Sequence, residues 1–282
     1  MNKPKYSSFF DLGTGFAAAE QIIFGAPYDG TASFRPGSRF GPSAMREAAY
    51  GIEYYSPYQE QELSLPIHDA GDLELPFGDP QAVLRQIEEY VRHLVEQDKM
   101  PIMIGGEHLL SLAVVRALLT KYPELHIIHL DAHADLRDEY LGSKYSHATV
   151  LRRIYEENGT VIHSFGVRSG LKEEFTFAAA NLDFHPFLLA DLPALKAPLG
   201  NKPVYLTLDL DVLDPSVLPG TGTPEPGGAG FRELLTALLS LKGVNLVGFD
   251  LVELAPQLDS SGVSTIVACT LLRELLLLAQ KC

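Results

Sequence analysis

Short, almost wholly apolar runs alternate along this chain with longer segments whose apolar residues recur every three or four positions. The runs at 21–25, 101–104, 125–130, 160–166, 204–208 and 245–251 read as buried strands. Between them, 42–50, 80–98, 109–121, 147–157, 230–241 and 264–278 read as helices. Pro42 and Pro80 stand in first turns, where the N–H that proline lacks would be unpaired anyway. Such alternation predicts an α/β fold with a mostly parallel sheet covered by helices on both faces. No linker, repeat or low-complexity tract interrupts the pattern, so residues 1–282 are expected to form one domain.

Composition narrows the picture modestly. A chain of 282 residues with 46% hydrophobic content can fill a sizeable core. Its 22 basic and 36 acidic residues leave a net charge of -14, which argues against a nucleic-acid partner and suits a cationic substrate. Cys269 and Cys282 have no metal-type spacing, and two cysteines make no disulfide framework, so a reducing compartment is expected. The basic start, Met1-Asn2-Lys3-Pro4-Lys5, is followed by no apolar run of signal-peptide length. The apolar stretch 271–279 is short and holds Arg273 and Glu274, so no membrane span is expected. A cytoplasmic location follows as the expectation.

The chemistry lies where the strands end. Asp131-Ala132-His133-Ala134-Asp135 follows the run at 125–130, and Asp209-Leu210-Asp211 follows the run ending at 208. Residues two apart on extended backbone share a side, so each set converges if that geometry persists past the strand. Gly105-Gly106-Glu107-His108 follows a third strand and offers a sixth ligand. In open parallel sheets, ligands bind beyond the carboxyl ends of the strands.

Asp-x-His-x-Asp alone is also compatible with a solvated loop, and Asp-x-Asp with a turn cap. Three sets after three separate strands point instead to one shared site. Packed carboxylates repel and desolvate badly, and divalent metal makes the arrangement favourable. Four carboxylates balance two divalent ions, and oxygen-rich donors with two imidazoles and no thiolate favour Mn²⁺-like ions over structural zinc. Paired metals about 3.5–4 Å apart generate hydroxide near neutral pH.

These motifs, with Ser146-His147-Ala148-Thr149, Asp209-Leu210-Asp211-Val212-Leu213-Asp214-Pro215, Gly220-Thr221-Gly222-Thr223-Pro224 and Glu253-Leu254-Ala255-Pro256, resemble the ureohydrolase family over roughly residues 20–280. Tyr28-Asp29-Gly30 and the segment from Arg35 to Pro42 look like its agmatinase branch. The resemblance implies a three-layer α/β/α sandwich with a central, mostly parallel, eight-stranded sheet, a single catalytic domain over 1–282, and assembly as trimers or hexamers. It implies two Mn²⁺ per subunit, with Asp131 and Asp209 bridging. His108 and Asp135 would complete one ion's ligands, and His133 and Asp211 the other's. Asp135 would also orient the attacking hydroxide, Glu253 would pair with the guanidinium, Thr223 would lie in the substrate pocket, and His147 would be proton shuttle or general acid.

The implied reaction is hydrolysis of agmatine to putrescine and urea, in polyamine biosynthesis. The loop 136–145 lacks the Asn…Ser-Gly-Asn pattern with which arginases hold an α-carboxylate, and its Asp138, Glu139 and Tyr140 suit a cationic or neutral tail. Agmatinases commonly carry glycine where this chain has Ala148, which touches substrate fit more than catalysis. Rival readings are guanidinobutyrase, guanidinopropionase, aminopropylagmatine ureohydrolase, arginase and formimidoylglutamase; further off stand an inactive regulatory homologue and a two-metal phosphoesterase. His68, His93, His126, His163 and His185 are read as ordinary surface or core histidines, His129 as a core residue or one behind the ligands, and Arg168 as serving folding or assembly.

Overall fold

All six anticipated strands form, and two more join them at the edges. The computed structural model describes residues 8–280 apart from positions 12, 65, 158 and 159; the basic start 1–5 and Cys282 fall outside the described residues. The strands are β1 (Gln21–Ala26), β2 (Tyr55–Ser56), β3 (Gln61–Glu62), β4 (Ile67–Asp72), β5 (Met100–Gly105), β6 (His126–Leu130), β7 (Val161–Phe165), β8 (Asp183–His185), β9 (Val204–Asp209) and β10 (Leu246–Val252). β2 and β3 make a small antiparallel hairpin, and the other eight form one sheet in the order β4-β1-β5-β10-β9-β6-β7-β8. Every pairing in that sheet is parallel.

The two strands absent from the sequence expectation are the edges. β4 reads Ile-His-Asp-Ala-Gly-Asp and buries only Ile67 fully, while β8 has three residues and none fully buried. An edge strand needs no continuous apolar run, because one side faces no neighbour. The inner strands β1, β5, β9 and β10 are buried at every position, as strands covered on both faces must be.

The helices are α1 (Gly41–Ala48), α2 (Pro80–Glu96), α3 (Ser111–Leu119), α4 (Val150–Glu156), α5 (Lys172–Asn181), α6 (Lys196–Leu199), α7 (Phe231–Ser240) and α8 (Val263–Leu278). α2 starts where Asp79 accepts N–H bonds from Gln81 and Ala82, with Pro80 in the first turn. It buries Val83, Leu84, Ile87, Val91, Leu94 and Val95 at helical spacing. α5 escaped the sequence reading because it buries only Glu174 and Ala178, and α6 because it is four residues long.

Successive strand residues feed opposite cores. Ile23, Ile102, Ile128, Leu206 and Phe249 pack with α1, α7 and α8 on one face. Ile22, Phe24, Met103, Ile127 and Tyr205 pack with α2, α3 and α4 on the other. Helix layers therefore sandwich the sheet. In α8, Arg273 and Glu274 are buried as a pair at 2.7 Å, and Glu274 also accepts from Ser56 Oγ at 2.7 Å, which satisfies their charge inside an otherwise apolar helix. No helix among the described residues is long and apolar enough to cross a membrane.

Strand order decides where chemistry gathers. The chain lays β1, β4 and β5 on one side, then jumps to β6, β7 and β8 on the other, and returns to fill the middle with β9 and β10. The carboxyl ends of β5, β10, β9 and β6 thus lie side by side around the switch point, where open parallel sheets bind ligands.

Candidate metal centre

His108 follows β5, Asp131 follows β6, Asp209 closes β9 and Glu253 follows β10. The extended geometry assumed from the sequence reaches Asp209 but stops short of the other ligands. β6 ends at Leu130, Asp135 has φ 51°, and Asp211 sits in a short 3-10 turn at 210–212. Convergence comes instead from loops tied to their neighbours: Ala132 O accepts from Arg168 N at 2.8 Å and from Ser169 N at 2.9 Å. Arg168 further bonds the carbonyls of Asp211 at 2.8 Å and Glu225 at 2.8 Å, so its role is to staple these loops, as a folding residue should. Asp135 and Glu253 (φ 65°) both lie in the left-handed region, which non-glycine residues occupy only when their surroundings hold them there. Gly106 is required at its place because a Cβ there would fall 1.9 Å from Tyr28 O, where the loop after β1 crosses.

All six expected ligands come together. His108 Nδ1 is 3.0 Å from Asp131 Oδ2, 3.2 Å from Asp209 Oδ2 and 3.4 Å from Asp135 Oδ2. His133 Nδ1 is 3.0 Å from Asp211 Oδ2 and 3.5 Å from Asp131 Oδ1. Asp131 therefore turns one oxygen to each imidazole. Asp209 turns Oδ2 to His108, while its Oδ1 accepts from Asp211 N at 2.9 Å. His108 Nδ1 is buried and makes no hydrogen bond despite its three carboxylate neighbours. Its Nε2 lies 2.9 Å from Thr207 Oγ1, whose hydroxyl donates to Asp250 at 2.8 Å. That chain leaves Nδ1 as the free lone pair, which is the state a metal ligand needs. Two groups meet the geometry for holding an ion: His108, His129 and Asp131, and Asp131, His133 and Asp211.

His129 is fully buried, with Nε2 3.0 Å from Asp131 Oδ2 and Nδ1 3.0 Å from Ser164 Oγ, so it backs the bridging carboxylate. The electrostatics are those of excess anion. Burial, then Asp211 and Asp131, hold Asp209 well above the usual carboxylate range. Burial and Asp131 raise Asp135 to about 6. Burial opposes charge on Asp131 too, but the neighbouring imidazoles of His108, His129 and His133 outweigh it and hold its carboxyl well below normal. Burial likewise opposes charge on His108, yet its carboxylate neighbours raise it well above the usual imidazole range. Divalent cations would neutralise these carboxylates while leaving the imidazoles neutral, as metal binding needs. The donor set fits a dinuclear centre.

A cavity of about 530 Å³ opens beside these residues, of the size small ligands occupy. His133, Asp135, His147, Ala148, Thr223 and Glu225 line it. Thr223 Oγ1 donates to Asp211 Oδ2 at 3.3 Å, and Glu253 Oε1 accepts from His108 N at 2.8 Å. Glu253 is buried and held well above the usual range by burial and by Glu107; among the described residues no cationic side chain pairs with it. His147 is lowered to about 4 by burial, then by His133 and His108.

Residues 19–278 match the model of the arginase family. The chain belongs to that family. It is 46% identical to the agmatinase of Bacillus cereus over 268 residues, covering 93% of this chain and 92% of that one. With the agmatinase of Bacillus subtilis it shares 48% over 265 residues, covering 92% and 91%. The crystal structure of a putative agmatinase from Clostridium difficile superposes with a TM-score of 0.90 at 45% identity, covering 94% of this chain and 98% of that one. The chain is accordingly an agmatinase-like ureohydrolase, an enzyme with an arginase-like fold and a His/Asp cluster for metal.

One sequence expectation fails. Asp138 and Glu139 do not reach the cavity: Asp138 pairs with Arg153 at 2.8 Å, and Glu139 is exposed outside the lining. Helix α4 carries Arg153 back under the loop, and that register is invisible in sequence. The acids that do line the cavity are Asp135, Glu174 and Glu225, alongside Arg137 and Tyr140. Sequence reasoning also passed over Ser169, which donates to Glu225 at 2.8 Å, and over Thr207 and Asp250 behind His108. Asp250 lies three residues before Glu253 on β10, and only the pairing of β10 with β9 relates it to Thr207.

Proposed function

We propose that this protein hydrolyses agmatine to putrescine and urea, using two Mn²⁺ ions held by His108, Asp131, Asp135, Asp209, His133 and Asp211. The observation that carries the reading is Asp131, whose two oxygens face two different ligand imidazoles, beside a buried carboxylate, Glu253, that has no cationic partner among the described residues. When bound, the metal pair supplies hydroxide at neutral pH and stabilises charge in the transition state.

The chain's own groups do the rest. Glu253, fixed by His108 N–H, takes the guanidinium and is neutralised by it. Asp135, in its left-handed conformation at the cavity wall, orients the nucleophile. Thr223, also in the lining, borders the substrate and holds Asp211. His147 gives a proton to the departing amine. The ammonium of the tail meets Glu225, not Asp138 and Glu139; Glu174, also in the lining, is held by the N–H groups of Leu136 and Leu171. Ala148 lines the cavity, so its methyl group borders the substrate.

The reading takes residues 1–282 as one catalytic domain, supported by the match over 19–278 and by a single eight-stranded sheet. It also takes the protein as a cytoplasmic homo-oligomer, a trimer or hexamer; Cys269, buried and unpaired, suits a reducing compartment. Urea release from a panel of guanidino compounds after Mn²⁺ loading tests the function. Agmatine is expected to lead, and preference for guanidinobutyrate or for arginine would overturn the substrate while leaving the metal chemistry standing.

A further inference from the structure

The loop after β1 reaches into the cavity, and its anchoring is unusually complete for a loop. Buried Asp29 accepts from Gly37 N at 2.7 Å and pairs with Arg39. Arg35 donates to the carbonyls of Thr221 at 2.7 Å and Gly222 at 3.1 Å, on the segment that carries Thr223. The fully buried Glu107 accepts from Thr31 twice, from its N–H at 2.8 Å and from its hydroxyl at 2.6 Å. Thr31 Oγ1 in turn accepts from His147 N at 3.1 Å. Two residues on, Ser33 Oγ lies 2.9 Å from His147 Nε2. Ser33 is exposed while His147 is half-buried, so this hydroxyl stands between the imidazole and solvent.

We propose that Glu107, Thr31 and Ser33 form a positioning relay for His147, in which Glu107 and Thr31 fix the backbone and Ser33 joins Nε2 to solvent. The inference rests on His147 being the proton donor of the proposed reaction. As the C–N bond breaks, the amine nitrogen takes the proton of the other ring nitrogen. Nε2 takes the Ser33 hydroxyl proton, and Ser33 regains one from water. The amine gains one proton, solvent gives up one, and the ring ends as the opposite neutral tautomer. A general acid whose second nitrogen is held by a hydroxyl keeps both its orientation and its proton supply, the logic by which an oriented imidazole works in hydrolases. Glu107 therefore has work of its own beside the ligand His108.

The test uses the Mn²⁺-loaded full chain with steady-state kinetics, exogenous imidazole and elemental analysis. Ser33→Ala is expected to lower kcat about tenfold with KM and metal content little changed, imidazole restoring part of the loss. Ser33→Thr, which keeps the hydroxyl, should hold most of the rate, and Thr31→Val should lower kcat with metal retained. His147→Ala separates the two ideas. If it is slow while Ser33→Ala turns over as the native enzyme does, the relay is wrong and His147 stands. If His147→Ala itself is unimpaired, its role as donor falls and the relay with it. A loss in Ser33→Ala confined to KM, or unmoved by imidazole and by Ser33→Thr, would also overturn the proposal, because it would mark a shape effect only.

Discussion

His108 Nδ1 and Asp131 Oδ2 lie 3.0 Å apart, both buried, and the nitrogen makes no hydrogen bond. Two groups so placed repay their desolvation by sharing a cation. Elemental analysis of Mn²⁺-loaded protein should therefore approach two ions per chain. Asp131→Asn or Asp209→Asn should lower that number, and chelation should abolish turnover. Full activity after verified metal removal would end the dinuclear reading.

His147 lines the cavity and belongs to neither of the two groups that could hold an ion among the described residues. His147→Ala should keep the ions and slow turnover about 10²-fold or more, the usual worth of a positioned acid. Measured side by side, metal content and kcat should separate in this variant and fall together in the aspartate variants.

Glu253 presents a buried carboxylate that, among the described residues, only His108 N–H satisfies. Glu253→Gln keeps the shape and removes the charge that pairs with a guanidinium. A charge-assisted bond is worth about 1.5–3 kcal/mol, so kcat/KM for agmatine should fall roughly 10- to 150-fold. An unchanged value would show that the guanidinium binds elsewhere.

The tail decides the substrate. Arginine's α-carboxylate would enter a cavity lined by Glu225, where agmatine's ammonium fits better; the one arginine in that lining, Arg137, already lies 3.7 Å from Glu174. Steady-state kinetics should give agmatine a kcat/KM about a hundredfold above that of arginine, or roughly 2.7 kcal/mol in transition-state terms. Comparable turnover of the two would refute the assignment.

Stability should respond to acid through His126, far from the cavity. Burial, then His163 at 2.9 Å and Lys202, lower its pKa to about 4. Because the folded value lies below the unfolded one, near 6.5, the unfolded chain binds more protons between the two. This contribution is present above about pH 6.5 and is lost as pH falls toward 4. Thermal melts of His126→Asn should fall less steeply with pH across that window than those of the native chain. Parallel curves would remove His126 as a cause.

Much of this protein is legible from residue order because its inner strands are buried on both faces. Only continuous apolar runs satisfy that condition, so β5, β6, β9 and β10 announce themselves, and the acids and histidines at their ends stand out against the pattern. The ligand set, the parallel α/β fold and the one-domain expectation all come from that contrast. The edge strands β4 and β8, being half-solvated, carry no such signal.

What the sequence by itself pointed to was a candidate ligand set, His108, Asp131, His133, Asp135, Asp209 and Asp211, because a strand end delivers its next few side chains to one edge of the sheet. His147, Thr223 and Glu253 came as candidates from the family resemblance alone. Only the tertiary structure decided how those groups are held. Glu107 meets Thr31 across 76 residues, Ser33 meets His147 across 114, and His108 N–H meets Glu253 across 145. Asp138, next to the motif in sequence, is turned away by Arg153. Hydrogen-bond partners this far apart are set by strand order and loop crossing, and neither leaves a local trace in the order of residues.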